Sequence, residues 1–435
     1  MLRLPGSHDA KLHLEPRCDS EHSLPYVTKY SSRVERAALA GQETGMQQYR
    51  VLVINDFEQK GGAEVVYRQS ADLLRAMSGV EVECFDVSRL RGSSSLLSRS
   101  WNVAAARALK QTLITYRPHR ILVHNYHNAL SASVLGVIAR YKRELGYATY
   151  MTCHDFHLVY YNPTLHYVVN GHIEHLTLDV LQTGHVLKLR ASTKGAVHDI
   201  FSKAYWHAVR AVYKPERIFD RLICPSDFMQ EALRRRGIDN TVVLYNPSVV
   251  AEANKPVSVR DRERFNLAFV GRIAREKGLA EFIALANSID FARIERIGVF
   301  GDGPDRDAIE RRYAPLVESG KLIFFGSLPH DRLFSELRRF ADAIVLPSVG
   351  MEVAPLVIVE AAMLGLPTLI REGAHRLDFG NTVGSKITYR DNPQSIRAAL
   401  DELATHLATP ERRYDVSDFL PQCYAERLAH IMRLT

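Results

Sequence analysis

From residue 49 onward the chain repeats one alternation: a short run of β-branched and other apolar residues, then a longer stretch with helical spacing. Residues 50–55 form the first such run, and 64–77 follow with apolar positions three and four apart. Further runs stand at 81–86, 120–124, 148–153, 221–224 and 242–244, with helical stretches such as 130–145 and 227–236 between them. A strand with one wet face alternates apolar and polar residues. These runs are apolar nearly throughout, so both of their faces need cover, and the helices that can supply it lie between them in sequence. A parallel sheet with helices on both sides satisfies both conditions.

The rhythm breaks at 249–264, a polar stretch that contains Pro256, and then restarts with runs at 266–271, 297–300, 322–325, 343–346 and 368–370. A chain of 435 residues is also too long for one ordinary core. The fold class predicted is therefore α/β, with two doubly wound, Rossmann-like domains facing a cleft. They are expected at 47–248 and 266–415, joined by a linker at 249–265. The last apolar helix, 416–435, is expected to cross back to the first domain. Residues 1–46 lack an apolar block; they read as a poorly ordered extension, or as sequence upstream of a start at Met46, and not as a secretory signal. Ligands of such sheets sit at the carboxyl ends of the strands.

Composition narrows the partners. A formal net charge of +7 is modest for this length. Without a dense basic stripe it argues against nucleic acid, and it suits a protein that handles phosphates or rests on an anionic membrane. The five cysteines are scattered and not in metal-ligand pairs, which fits free thiols in a reducing compartment. No run of 18 apolar residues occurs, so no spanning helix is expected. A cytoplasmic location follows, with room for peripheral contact with the inner face of the membrane.

The segment 348–361 carries two glutamates eight apart, Glu352 and Glu360. Glu352 falls in the loop after an apolar strand, and Glu360 about one turn into a helix expected to start near Pro355, a residue well placed at a helix start. Free N–H groups there, that of Leu356 among them, can hold a phosphate, and a carboxylate one turn on can grip a ribose diol. Both glutamates can also be read as solvated helix-face residues. For Glu360 that is awkward, because Val357, Ile358, Val359, Ala361 and Ala362 around it are apolar. A second segment, 270–278, places Arg272 and Lys277 at a strand's carboxyl end. Fixed cations there stabilise the charge that builds on a departing diphosphate. By itself the segment is equally an ordinary charged helix start.

These two segments, in this order, resemble the retaining GT-B glycosyltransferases of the large family with the E-x7-E signature (glycosyltransferase family 4-like). The resemblance runs from about Tyr49 to the end of the chain. It implies transfer of a hexose from a nucleotide-diphosphate sugar with retention of configuration, without metal or other cofactor. It assigns Arg272 and Lys277 to the donor diphosphate, Glu352 to the donor sugar and Glu360 to the ribose. Val353-Ala354-Pro355 stands where many members are glycine-rich.

Three further elements match the family. Gly61-Gly62 follows the first strand and opens a helix, where in similar proteins the loop faces the donor phosphate; alone it is only a turn. His154 matches a histidine near the transferring sugar and acceptor. Cys153, His154 and His157 also suggest a metal, but they lack a second ligand pair at zinc-site spacing. Gly301-Asp302-Gly303-Pro304 matches an element near the nucleotide. Finally, 187–217 interleaves Lys188, Arg190, Lys194, Lys203, Arg210, Lys214 and Arg217 with aromatics. It reads either as a surface resting on anionic lipid, reaching a lipid-linked glycan acceptor, or as an ordinary solvated helical face. The expected partners are thus a nucleotide-sugar donor and a glycan acceptor, in bacterial surface polysaccharide or lipopolysaccharide assembly. The rival readings are a two-lobed sugar-binding protein and an epimerase or phosphorylase of the same fold.

Overall fold

A computed structural model describes residues 48–58, 61–90, 101–170, 172–181, 188–192, 195–250, 263–373, 383–408 and 414–434. The expected extension at 1–46, Lys194 and most of the expected linker lie outside these residues.

The first sheet contains β1 (Tyr49–Ile54), β2 (Val80–Phe85), β3 (Arg120–Val123), β4 (Ala148–Thr152), β7 (Arg221–Cys224) and β8 (Thr241–Val243), in the order β2-β1-β3-β4-β7-β8. Every pairing in it is parallel. The antiparallel hairpin of β5 (His166–Val169) and β6 (His172–His175) stands apart from it. The second sheet, of β9 (Phe265–Val270), β10 (Ile294–Phe300), β11 (Leu322–Gly326), β12 (Ala343–Leu346), β13 (Thr368–Arg371) and β14 (Lys386–Tyr389), is also parallel, in the order β11-β10-β9-β12-β13-β14. In each sheet the strand order reverses beside the first strand, which opens a crevice at the carboxyl ends.

Continuous apolar runs become central strands because both faces are covered. Val51, Leu52, Val53 and Ile54 are all fully buried, Leu52 and Ile54 in one core cluster and Val51 and Val53 in another. Helices α1 (Gly62–Arg75), α2 (Val103–Tyr116), α3 (Ser133–Leu145), α4 (Ala196–Tyr213) and α5 (Asp227–Arg234) belong to the first unit. The second contains α6 (Leu279–Ser288), α7 (His330–Phe340), α8 (Leu356–Met363) and α9 (Pro393–Leu407). Ser226 caps α5 by accepting from the Met229 N–H at 3.2 Å.

The final helix, α10 (Pro421–Met432), packs on α1 of the first unit. Tyr424, Leu428, Ala429 and Met432 join Tyr67, Ala71 and Leu74 in one buried cluster. The hydroxyls of Tyr424 and Ser70 lie 2.7 Å apart inside it. Helix α8 begins at Leu356, with Pro355 as its cap residue (φ −70°, ψ 106°). The proline thus stands one position before the first helical turn, because its ψ is still extended.

The two units meet at the site end of both sheets. The Thr164 carbonyl, in the segment after β4, accepts from the Met351 N–H of the second unit at 2.9 Å. Val353 is buried in the first unit's core cluster, with Met351 and Ala354 packed against it. His175, at the end of the β5–β6 hairpin, lies so close to Gly373 that a Cβ there would come within 3.2 Å of the imidazole.

Candidate active site

In the second unit, two loops at neighbouring strand ends are tied together. The Glu276 carbonyl, in the loop after β9, accepts from both Val349 and Gly350 N–H groups of the loop after β12, each at 2.9 Å. Gly278 makes this approach possible. Its φ is +70°, and a Cβ there would lie 2.0 Å from the Pro347 carbonyl oxygen.

Their joining puts Lys277 and Glu352 together. Lys277 Nζ donates to Glu352 Oε1 at 2.6 Å, and Ser348 Oγ donates to the same oxygen at 2.6 Å. The pair is partly buried, with the Glu352 side chain 17% exposed. Arg272 points outward and, among the described residues, meets the edge of Glu276 at 3.3 Å, with 57% of its side chain exposed. A loosely held guanidinium of this kind can swing toward an anion, because little holds it where it is.

Helix geometry leaves the first-turn N–H groups of α8, those of Leu356 and Val357, without intrahelical partners. Glu360 follows one turn later, between the buried Val359 and Ala361. Its Oε1 lies 3.7 Å from Nε2 of His330, the first residue of α7. That separation is too long for a hydrogen bond, so the carboxylate keeps acceptor capacity for a diol.

The glycines divide by role. Gly301 has φ +143°, a Cβ on it would fall 1.9 Å from the Gly271 carbonyl oxygen, and its own N–H donates to Gly326 at 2.8 Å. Gly303 is as tightly packed, 2.2 Å from the Ile273 carbonyl oxygen. Both serve the close packing of the loops after β9 and β10. Gly62 opens α1 with nothing within 4 Å of its Cβ position, so its lack of a side chain meets no steric demand from the protein itself.

In the first unit, the loops after β3 and β4 bring four histidines into two stacked pairs. His124 and His154 stack at 5.1 Å, with Nδ1 of His124 and Nε2 of His154 2.8 Å apart. His127 and His157 stack at 4.2 Å, and His127 Nε2 lies 3.3 Å from Asp155. Burial pushes the His154 pKa down to about 4 and lowers that of His124 as well, so the dyad is neutral at physiological pH. Asp56, fully buried at the end of β1, accepts from the Asn128, Ala129 and Leu130 N–H groups at 2.7–2.9 Å and so fixes the loop that carries His124 and His127. Among the described residues no group of three or more His, Cys, Asp or Glu is placed to hold a metal ion.

Sequence reasoning missed His124, His330 and Asp56. Each acts through a partner at least 30 residues away in the chain, and no local spacing signals that.

Residues 250–403 match the family of glycosyl transferases group 1. That stretch is similar to the group 1 glycosyl transferases, and the chain as a whole has a GT-B fold. A 2-deoxystreptamine N-acetyl-D-glucosaminyltransferase of Streptomyces fradiae is 30% identical over 151 residues, which are 34% of this chain and 35% of that protein. The match thus spans about a third of the relative's length. Among solved structures, HepE of Anabaena in complex with UDP and glucose shares the GT-B fold at a TM-score of 0.57 and 16% identity, over 89% of this chain and 100% of that one. WaaG, a glycosyltransferase of lipopolysaccharide biosynthesis, does so at a TM-score of 0.55 and 16% identity, over 87% and 99%.

Both elements of the matched domain that bear on the site, the Lys277–Glu352 pair and the start of α8, fall inside the matched residues. The histidine pairs belong to the other half of the GT-B fold.

Proposed function

We propose that this protein moves a hexose from a nucleotide-diphosphate sugar to an acceptor hydroxyl with retention of configuration, in the assembly of a bacterial surface polysaccharide or lipopolysaccharide. The observation that carries the reading is the Lys277–Glu352–Ser348 cluster at the carboxyl ends of β9 and β12, against the first unit. In this reading Arg272 and Lys277 hold the diphosphate, helped by the first-turn N–H groups at Leu356 and by Gly62. Glu360 takes the ribose hydroxyls. Glu352 takes the donor sugar, and His154 borders the sugar and the acceptor. Gly301 shapes the wall beside the nucleotide.

The bond between the anomeric carbon and the diphosphate oxygen breaks, and the acceptor oxygen bonds to that carbon on the same face. The acceptor proton passes to the leaving diphosphate. Side-chain cations offset the charge on that group, so the reaction calls for no metal or other cofactor. The acceptor is a glycan or lipid-linked glycan, reached from the cytoplasm by a protein in peripheral contact with the membrane.

The test is a metal-free thermal shift with UDP, GDP and ADP, UDP first because HepE holds it, together with turnover of the matching nucleotide-sugar. A ligand at 100 times its Kd adds about 2.7 kcal/mol. Stabilisation of the parent by one nucleotide, lost in Glu360→Ala, with release of that nucleotide on turnover, supports transfer. Binding without turnover over a panel of sugars and acceptors favours the binding-protein reading.

A further inference from the structure

Helix α4 has two unlike faces. Its inner face grips the loop that carries His154: Trp206 Nε1 donates to the His157 carbonyl at 2.6 Å, and Arg210 Nη1 to the Leu158 carbonyl at 2.6 Å. Lys203 turns inward too, to Asp199 at 2.8 Å. Two of the cations in the basic-aromatic stretch are therefore structural, and Trp206 is buried.

The outer face is apolar and bare. Val197 is 83% exposed, Ile200 67%, Phe201 61% and Val212 72%. With the exposed Ala204, Ala208 and Ala211 they recur three and four residues apart, one stripe along the whole helix. Single exposed apolar residues need no explanation, whereas a continuous stripe does. At the helix's last residue, Tyr213 stacks on Trp101, itself 47% exposed, and continues the surface toward α2.

Charge identifies what the stripe meets. Exposed cations flank the helix, Lys188 and Arg190 in the segment whose Leu189 carbonyl Lys203 holds at 2.7 Å, and Lys214 and Arg217 just after its last residue. Beside Tyr213, a groove of about 290 Å³ between α2 and α3 is rimmed by Arg107, Lys110 and Arg140. An apolar stripe between cations matches a bilayer that offers acyl chains inside a layer of anionic headgroups. A second copy of this chain would bring like charges together at both ends. Residues 1–47 carry as many Asp and Glu as Lys and Arg, so their charge gives no drive toward a basic face.

We propose that α4 and Trp101 dock this protein onto an anionic lipid bilayer. The surface deepens the reading of a membrane-side acceptor given above, yet it can be tested without donor or acceptor. Docking there sets the His154 loop about one helix diameter, some 10–12 Å, from the headgroups.

The experiment is flotation of the full chain with phosphatidylcholine vesicles, with and without phosphatidylglycerol, at low and high salt. The chain is expected to float with the anionic vesicles and to be released by salt. Ile200→Glu/Phe201→Glu is expected to lower partitioning by at least about tenfold with an unchanged thermal midpoint and unchanged nucleotide binding. Three results overturn the proposal. One is equal flotation of the double variant. Another is a parent that forms a dimer which the double variant dissolves. The third is binding that appears only once residues 1–47 are removed. Failure of nucleotide binding in a chain that still floats would count against the transferase reading and leave the docking surface standing.

Discussion

Lys277 and Glu352, 75 positions apart in sequence, neutralise each other across 2.6 Å where the two units meet. A donor diphosphate must therefore compete with Glu352 for the ammonium group. Glu352→Gln relieves that competition and is expected to tighten nucleoside-diphosphate binding about two- to tenfold, while transfer falls if Glu352 serves the donor sugar as proposed. Lys277→Ala is expected to weaken binding and to lower kcat/KM by about 10²–10³. Titration calorimetry with the free nucleotide, set against turnover, separates the two. Weaker binding in Glu352→Gln would show that this carboxylate touches the nucleotide itself.

The glycines should divide in the same way under mutation. Gly301→Ala and Gly303→Ala drive a Cβ into a carbonyl oxygen at 1.9 and 2.2 Å. Each is expected to destabilise the second unit by several kcal/mol, about 3 or more, with activity lost through unfolding. Gly62→Ala meets open space and is expected to leave stability unchanged or raise it by about 0.5 kcal/mol. If donor phosphate approaches the Gly62 backbone, turnover falls in that stable variant. Full activity would remove Gly62 from the site.

Acid should weaken the protein before it reaches ordinary carboxylate pKa values. Burial lowers the pKa of His154 and that of His175 to about 4, whereas an unfolded chain titrates near 6.5. Between those values the unfolded state binds protons that the folded state refuses. Stability is therefore full above about pH 7 and falls as pH drops from 6.5 toward 4, by at most about 1.4 kcal/mol per pH unit for each histidine. Urea midpoints at pH 7.5, 6 and 5 check this, with His154→Asn/His175→Asn expected to flatten the slope. An unaltered slope in that variant would assign the acid sensitivity to other groups.

Tyr424 and Leu428 are fully buried between α10 and α1. Leu428→Ala is expected to cost about 2–5 kcal/mol, and Tyr424→Phe about 1–2 kcal/mol, because the Ser70 hydroxyl keeps its bond to the Val66 carbonyl but loses the phenol. In urea the loss should register in the first unit's transition. A shift confined to the second unit would contradict the packing.

The parts of the fold legible in the sequence are those whose signal is local. Val51 to Ile54 read as a central strand because a run buried on both faces must be apolar at every position. The Arg272–Lys277 and Glu352–Glu360 segments stood out because Glu360 sits among apolar neighbours and because the two segments in this order resemble one family's pattern. The β5–β6 hairpin escaped notice because its four-residue strands, His166–Val169 and His172–His175, begin or end in histidines and carry no long apolar run. The pairing of His124 with His154, and the hold of Asp56 on the loop after β3, are made through space by strands that come together only in the folded sheet.

Helix α10 also governs the order in which the chain can be built. The second sheet and its helices come from one unbroken stretch, 265–407, all of which emerges from the ribosome before Pro421 does. The first unit emerges earlier, yet the cluster around Tyr67, Ala71 and Leu74 lacks Tyr424, Leu428, Ala429 and Met432 until the segment beyond Pro421 arrives. Synthesis thus runs first unit, second unit, closing helix, while completion runs second unit before first. During that interval the half-made protein leaves this cluster open on the side that α10 later covers.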